Sequence, residues 1–70
     1  MTHLERVYYQ GNILAARKSH RETQGRVAQA CGISVTTIVQ IEHGRCTNDD
    51  TILRVARYLS VPPPSALEDF

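Results

Sequence analysis

Seventy residues hold one domain, because a chain this short buries only about 60% of the surface its unfolded form exposes. A composition 41% hydrophobic and 21% charged, with four Gly and three Pro, excludes a disordered chain, and no run reaches the ~18 apolar residues of a membrane span. The net charge of +1 argues against indiscriminate wrapping of nucleic acid, and two cysteines, Cys31 and Cys46, are too few to cross-link a secreted miniprotein.

Apolar residues recur at helical spacing and nowhere sustain the alternation of a half-buried strand, which predicts an all-α fold. The first helix is clearest from Asn12 to His20, with Ile13 and Ala16 on one face. Thr2 with Glu5 has the form of a capping box that would start this helix earlier. Gly11 opposes that start, since glycine inside a helix costs about 1 kcal/mol relative to alanine. Residues 1–11 are therefore either the start of helix one or an N-terminal arm. Thr23 suits the N-cap of a second helix, Gln24 to about Cys31, and Gly32 tolerates the positive φ that follows a helix end. Ser34 suits the N-cap of a third helix running to about His43, with Gly44 as its stop and Ile38 and Ile41 on one face. From Thr47 to Asp50, capping and acidic groups favour the positive end of a helix dipole. The fourth helix follows, with Ile52, Leu53, Val55, Ala56 and Leu59 on its apolar side and Arg54 and Arg57 exposed. Pro62, Pro63 and Pro64 interrupt it, and Ser65 with Glu68 suits the cap of one last turn ending at Phe70.

Charge is unevenly spread: from Asn12 to Arg45 the chain carries Arg17, Lys18, Arg21, Arg26 and Arg45 against Glu22 and Glu42. The polar start Met1-Thr2-His3-Leu4-Glu5-Arg6 lacks the apolar segment of a signal peptide, so a cytoplasmic protein with reduced cysteines is expected. Within the basic stretch, Gln24 to Gly44 has the spacing of two short helices that cross steeply with almost no loop. Ala28 is small enough for close crossing and Gly32 is free of Cβ clash in the turn. Val27, Cys31, Ile33, Ile38 and Ile41 then point inward, and Val35, Thr36, Val39 and Gln40 are left facing out. Two valines on an exposed face call for a function.

This stretch resembles the lambda-repressor/Cro-like helix-turn-helix family, also called the XRE family. The resemblance covers residues 12–59. It is carried by Arg17, Thr23-Gln24, Val27-Ala28, Gly32-Ile33-Ser34, Thr37-Ile38 and Ile41-Glu42-His43-Gly44-Arg45. It implies a five-helix domain over residues 12–70, a third helix in the major groove, and a homodimer on double-stranded DNA with a palindromic operator. By the same resemblance Gln24 anchors the backbone with the helix-two N-terminus on a phosphate, and Thr23, His43 and Arg45 also touch phosphate. Val35, Thr36, Val39 and Gln40 face the bases, where valine suits a thymine methyl and glutamine pairs with adenine. Arg17 and Glu42 form a structural ion pair between helix one and the end of helix three. Three departures stand out. Glu22 replaces an apolar residue, the loop Cys46-Thr47-Asn48-Asp49 is short and acidic, and Ser60 replaces a glycine after helix four.

Other readings of single features are weaker. His43 and Cys46 have no second pair to complete a metal site, and Cys31 has no base and orienting group around it, so neither a metal, a cofactor nor catalysis is expected. Tyr8 and Tyr9 fit a core, a dimer contact or an arm on DNA equally. Leu4, Val7, Tyr8 and Leu14 form a second apolar stripe that hints at self-association. The expected function is a DNA-binding transcriptional regulator, a homodimeric repressor or autorepressor of the kind found in phage, restriction-modification, toxin–antitoxin and other mobile-element operons. The competing class is an antitoxin-like module whose partner is a protein from the same operon. A sequence-independent architectural protein fits poorly with an uncharged reading face.

Overall fold

Each of the four α-helices described starts on a side chain that supplies an acceptor its first turn lacks. The computed structural model describes residues 1–67 as four α-helices, α1 (His3–Ser19), α2 (Gln24–Cys31), α3 (Val35–Glu42) and α4 (Asp49–Tyr58), followed by a 3-10 turn, Pro64–Leu67. Thr2 Oγ1 accepts from Glu5 N at 3.2 Å while Glu5 Oε1 accepts from Thr2 N at 2.9 Å, so the capping box starts α1 at His3 and residues 3–11 are helical. Thr23 Oγ1 accepts from Arg26 N (3.1 Å), Ser34 Oγ from Thr37 N (3.2 Å) and Asn48 Oδ1 from Thr51 N (3.2 Å). Asn48, inside the polar loop, starts α4 ahead of its first apolar residue, Ile52.

The four helix ends share one geometry. In each, the chain turns through a left-handed residue and a backbone N–H reaches back five residues, the closure that satisfies the last carbonyls. Glu22 N donates to Arg17 O (3.1 Å), Ile33 N to Ala28 O (3.0 Å), Arg45 N to Gln40 O (2.8 Å) and Val61 N to Ala56 O (2.8 Å). The left-handed residues are Arg21 (φ 58°), Gly32 (φ 70°), Gly44 (φ 72°) and Ser60 (φ 60°). Glycine takes this conformation freely, whereas Arg21 and Ser60 crowd their Cβ against the carbonyl. Thus Ser60, where the family pattern has glycine, keeps the glycine's backbone.

Five α-helices were expected and four are found among the described residues. The three prolines explain the difference. Each lacks an N–H, and each pushes the residue before it toward extended backbone, so Val61, Pro62 and Pro63 are non-helical. Among the described residues, the short turn Pro64–Leu67 follows. Of the expected Ser65–Glu68 cap, Ser65 lies in that turn and Glu68 lies outside the described residues.

The core collects one face from every helix: Tyr9 and Ile13 of α1, Val27, Ala28 and Cys31 of α2, Ile38 and Ile41 of α3, Ile52, Val55 and Ala56 of α4, then Leu59 and Val61. Both α1 and α2 pack against α3 and α4, and α2 also packs against α3. Ile33, expected inside, is only half-buried at the edge of this core because it follows the turn at Gly32. Tyr9 is core. Tyr8 stacks edge-on against it (ring centroids 5.2 Å apart) and donates its hydroxyl to Pro62 O at 2.6 Å, holding the chain after α4 against α1. No helix among the described residues is long and apolar enough to cross a membrane.

Relief of the left-handed strain at residue 60 is the first expected outcome. Ser60→Gly should raise stability by about 0.5–1 kcal/mol after glycine's larger unfolded-state entropy is subtracted, read as a higher midpoint in thermal or urea unfolding.

Candidate nucleic-acid interface

The outward surface of α2 and α3 is set by a polar network beneath it. Glu42, the last residue of α3, is the one charged residue buried among the described residues, with 7% of its surface exposed. Arg17 of α1 grips its carboxylate with two bonds, Nε to Oε2 at 2.6 Å and Nη2 to Oε1 at 3.1 Å. The same guanidinium donates from Nη1 to Glu22 O at 3.0 Å, in the turn before α2. Gln24, the first residue of α2, donates from Nε2 to Glu42 Oε1 at 3.0 Å, and Gln10 donates from Nε2 to the Glu42 carbonyl at 3.3 Å. One carboxylate thereby joins α1, α2 and α3. Burial alone pushes the Glu42 carboxyl up. The bonds from Arg17 and Gln24 and the charges of Arg17 and Lys18 outweigh it, and the net displacement is below the ordinary value.

Gln10 also lies over Gly44. A Cβ on residue 44 would meet Gln10 Oε1 at 2.6 Å, and the backbone there is left-handed. Glycine therefore serves both the close of α3 and the bond that holds Gln10 on Glu42.

The expected packing residues Val27, Ala28, Cys31, Ile38 and Ile41 are buried and Gly32 forms the turn. Burial pushes the Cys31 thiol above its ordinary value, which suits a packed side chain more than a nucleophile. With those positions turned inward, Val35, Thr36 and Gln40 are exposed and Val39 is half-buried, and the four lie within α3. No charged side chain interrupts them, because Glu42, the only acid of α3, is buried. Thr23 is exposed as the N-cap of α2, with Gln24 and Gly25 next in its first turn, where backbone N–H groups lack intrahelical partners. His43 and Arg45 are exposed where α3 ends. Lys18, Arg21, Arg26 and Arg45 are all exposed and take part in no salt bridge among the described residues.

Three contacts escape local sequence reasoning. Glu22 accepts the Tyr58 hydroxyl at 2.6 Å, which ties the turn before α2 to the end of α4 and raises the Tyr58 hydroxyl above its ordinary value. That bond accounts for an acid at an apolar family position. Asp49, expected in the loop but found as the first residue of α4, accepts from the Met1 ammonium (3.0 Å) and from Arg6 (3.2 Å), so its carboxylate is turned toward α1. None of these three pairs has a signal in helical periodicity, since the partners are 36 or more positions apart.

A family model described as helix-turn-helix matches residues 13–65. No curated protein and no solved structure matches the chain.

Removing one partner of the buried pair leaves a desolvated charge, and Arg17→Ala is expected to cost about 3–5 kcal/mol in urea unfolding at neutral pH. A change within experimental error would show that the pair does not hold the helices together. The acid limb carries a second expectation. Because the Glu42 carboxyl sits below 4.5 in the folded chain, its stabilisation is complete above the unfolded value and is lost as pH falls through the folded value. Glu42→Gln, less stable at neutral pH, should therefore lose less further stability below pH 4.5 than the parent chain.

Proposed function

Because the chain belongs to the lambda-repressor/Cro-like (XRE) helix-turn-helix family, whose domain implies DNA-binding regulation, we propose that it is a sequence-specific repressor. It acts as a homodimer on a palindromic operator, with α3 of each copy in the major groove, and it represses by occlusion. The observation that carries the reading is the uncharged face Val35, Thr36, Val39 and Gln40 beside the N-terminus of α2. In this reading, the backbone amides at Gln24 and Gly25 meet a phosphate. The Gln24 side chain is not needed there, since it is bound to Glu42. Thr23, His43 and Arg45 add phosphate contacts that set register and give binding its salt dependence. Gln40 reads adenine through both amide atoms, and Val35, Thr36 and Val39 pack on base edges. The family is typically non-catalytic, and nothing in this mechanism requires a cofactor.

A second reading, an antitoxin-like module that covers a protein partner, is favoured by one observation. Leu4 (78% exposed) and Val7 (50% exposed) leave an apolar strip on α1. Such a strip serves the homodimer equally well.

Selection of bound sequences from random duplex DNA separates the two. An enriched palindrome with half-sites about one helical turn, ~10 bp, apart is the expected result. Folded protein that enriches nothing at moderate salt would leave the partner module. On the selected site, Gln40→Ala is expected to cost about 1–3 kcal/mol and relax specificity, while Arg45→Ala weakens all sequences and lowers the salt slope by about one. Identical effects of the two substitutions would remove the distinction between reading and anchoring.

A further inference from the structure

Val35 keeps 46% of its surface exposed at the start of α3, an unusual exposure for an aliphatic residue on a helix whose other large apolar side chains, Ile38 and Ile41, are fully inside. Thr36 beside it is exposed, and Val39, one turn further along α3, is half-buried. The neighbouring helix approaches Val35 at Gly25 without covering it. The Gly25 position carries no side chain, and a carbon atom placed where its Cβ would stand lies 3.9 Å from Val35 Cγ2, at ordinary van der Waals distance. The surface at Val35 is thus apolar and exposed. It is bordered by the first turn of α2, whose free N–H donors suit a phosphate backbone and not an apolar protein partner.

The geometry points to recognition of the C5-methyl group of a pyrimidine in duplex DNA, read by Val35 and Val39 through packing alone, so that thymine and 5-methylcytosine are equivalent ligands there. The inference rests on the DNA-reading proposal above and specifies what its apolar half detects. The chemistry follows from the major-groove edge of each base. Thymine presents an O4 acceptor and a methyl, cytosine presents an N4 donor and no methyl, and 5-methylcytosine combines the N4 donor with the methyl. An aliphatic side chain neither donates nor accepts, so it is blind to the exchange of O4 for N4 and responds only to the methyl. Gln40, with an amide, has the opposite character and reads the hydrogen-bonding edge. Cytosine methylation would therefore create binding sites for this protein out of sequences that it otherwise passes over.

Three random duplex pools test this with the intact chain: one ordinary, one with uracil throughout in place of thymine, and one with 5-methylcytosine throughout in place of cytosine. The ordinary pool is expected to return thymine at the positions facing α3. Uracil in those positions should weaken binding about fourfold per methyl removed. The methylated pool should return thymine and 5-methylcytosine interchangeably at the same positions. V35S, measured on the selected site, should lose the preference for thymine over uracil at one position per half-site. The inference is overturned if the ordinary and uracil pools yield the same motif with equal affinity, if 5-methylcytosine is rejected where thymine is selected, or if V35S keeps the full preference. Absence of any motif in all three pools overturns the DNA-reading proposal itself, an outcome distinct from those three.

Discussion

The relative placement of the three N-terminal helices depends on one buried carboxylate. Glu42 has too little exposed surface to be solvated by water, so its charge is tolerable only while Arg17 and Gln24 supply hydrogen bonds and a counter-charge. Those two donors come from α1 and from the first residue of α2, which makes the electrostatic requirement of one side chain a geometric constraint on three helices. A hydrophobic contact at the same point would supply attraction without direction. The two-pronged guanidinium grip, by contrast, accepts a narrow range of positions.

That constraint sits directly under the surface proposed to meet DNA. Gln24 is at once the amide donor to Glu42 and the first residue of α2, so the network fixes where the free N–H groups of that helix lie. At the same end of α3, Gln10 holds the Glu42 carbonyl and covers Gly44, next to Arg45. The groups proposed to face phosphate are therefore carried on backbone that the network braces at Gln24 and at Glu42, near the two ends of the motif. The side chains of the proposed reading face take no part in this bracing. Val35, Thr36 and Gln40 are free to vary in identity because their side chains stand outside the core.

Economy in a chain of this size shows in the helix ends. All four close with the same back-reaching bond, two through glycine and two through strained residues, Arg21 and Ser60. Where the strain is accepted, a compensating contact lies nearby. The turn holding Arg21 receives the Arg17–Glu22 and Tyr58–Glu22 bonds, and Val61, after Ser60, is buried in the core. The prolines that follow end α-helical structure and leave Tyr8 to hold the segment by its hydroxyl.

By itself the sequence determined whatever is decided within a few residues. The caps at Thr23 and Ser34 act on N–H groups three positions on, the stops at Gly32 and Gly44 follow from glycine's access to positive φ, and the inward or outward direction of Val27, Ile38, Ile41, Val35 and Gln40 follows from the helical period. The helix-turn-helix was legible for that reason, and so was the Arg17–Glu42 pair, through the family resemblance. Tertiary structure decided the balances that local rules leave open. The penalty of Gly11 is outweighed by the Thr2–Glu5 box and by burial of Tyr9, so α1 begins at His3. The side chain of Gln24 faces the carboxylate and not solvent, Ile33 reaches only the edge of the core, and Glu22 finds Tyr58 across 36 positions. The missing fifth α-helix among the described residues had its cause in plain sight, in Pro62 to Pro64, and the 3-10 turn that starts at Pro64 appears only in the structure. Local hydrogen bonds are settled by spacing along the chain, whereas a buried charge or an aromatic hydroxyl is settled by whichever distant group folding brings within 3 Å.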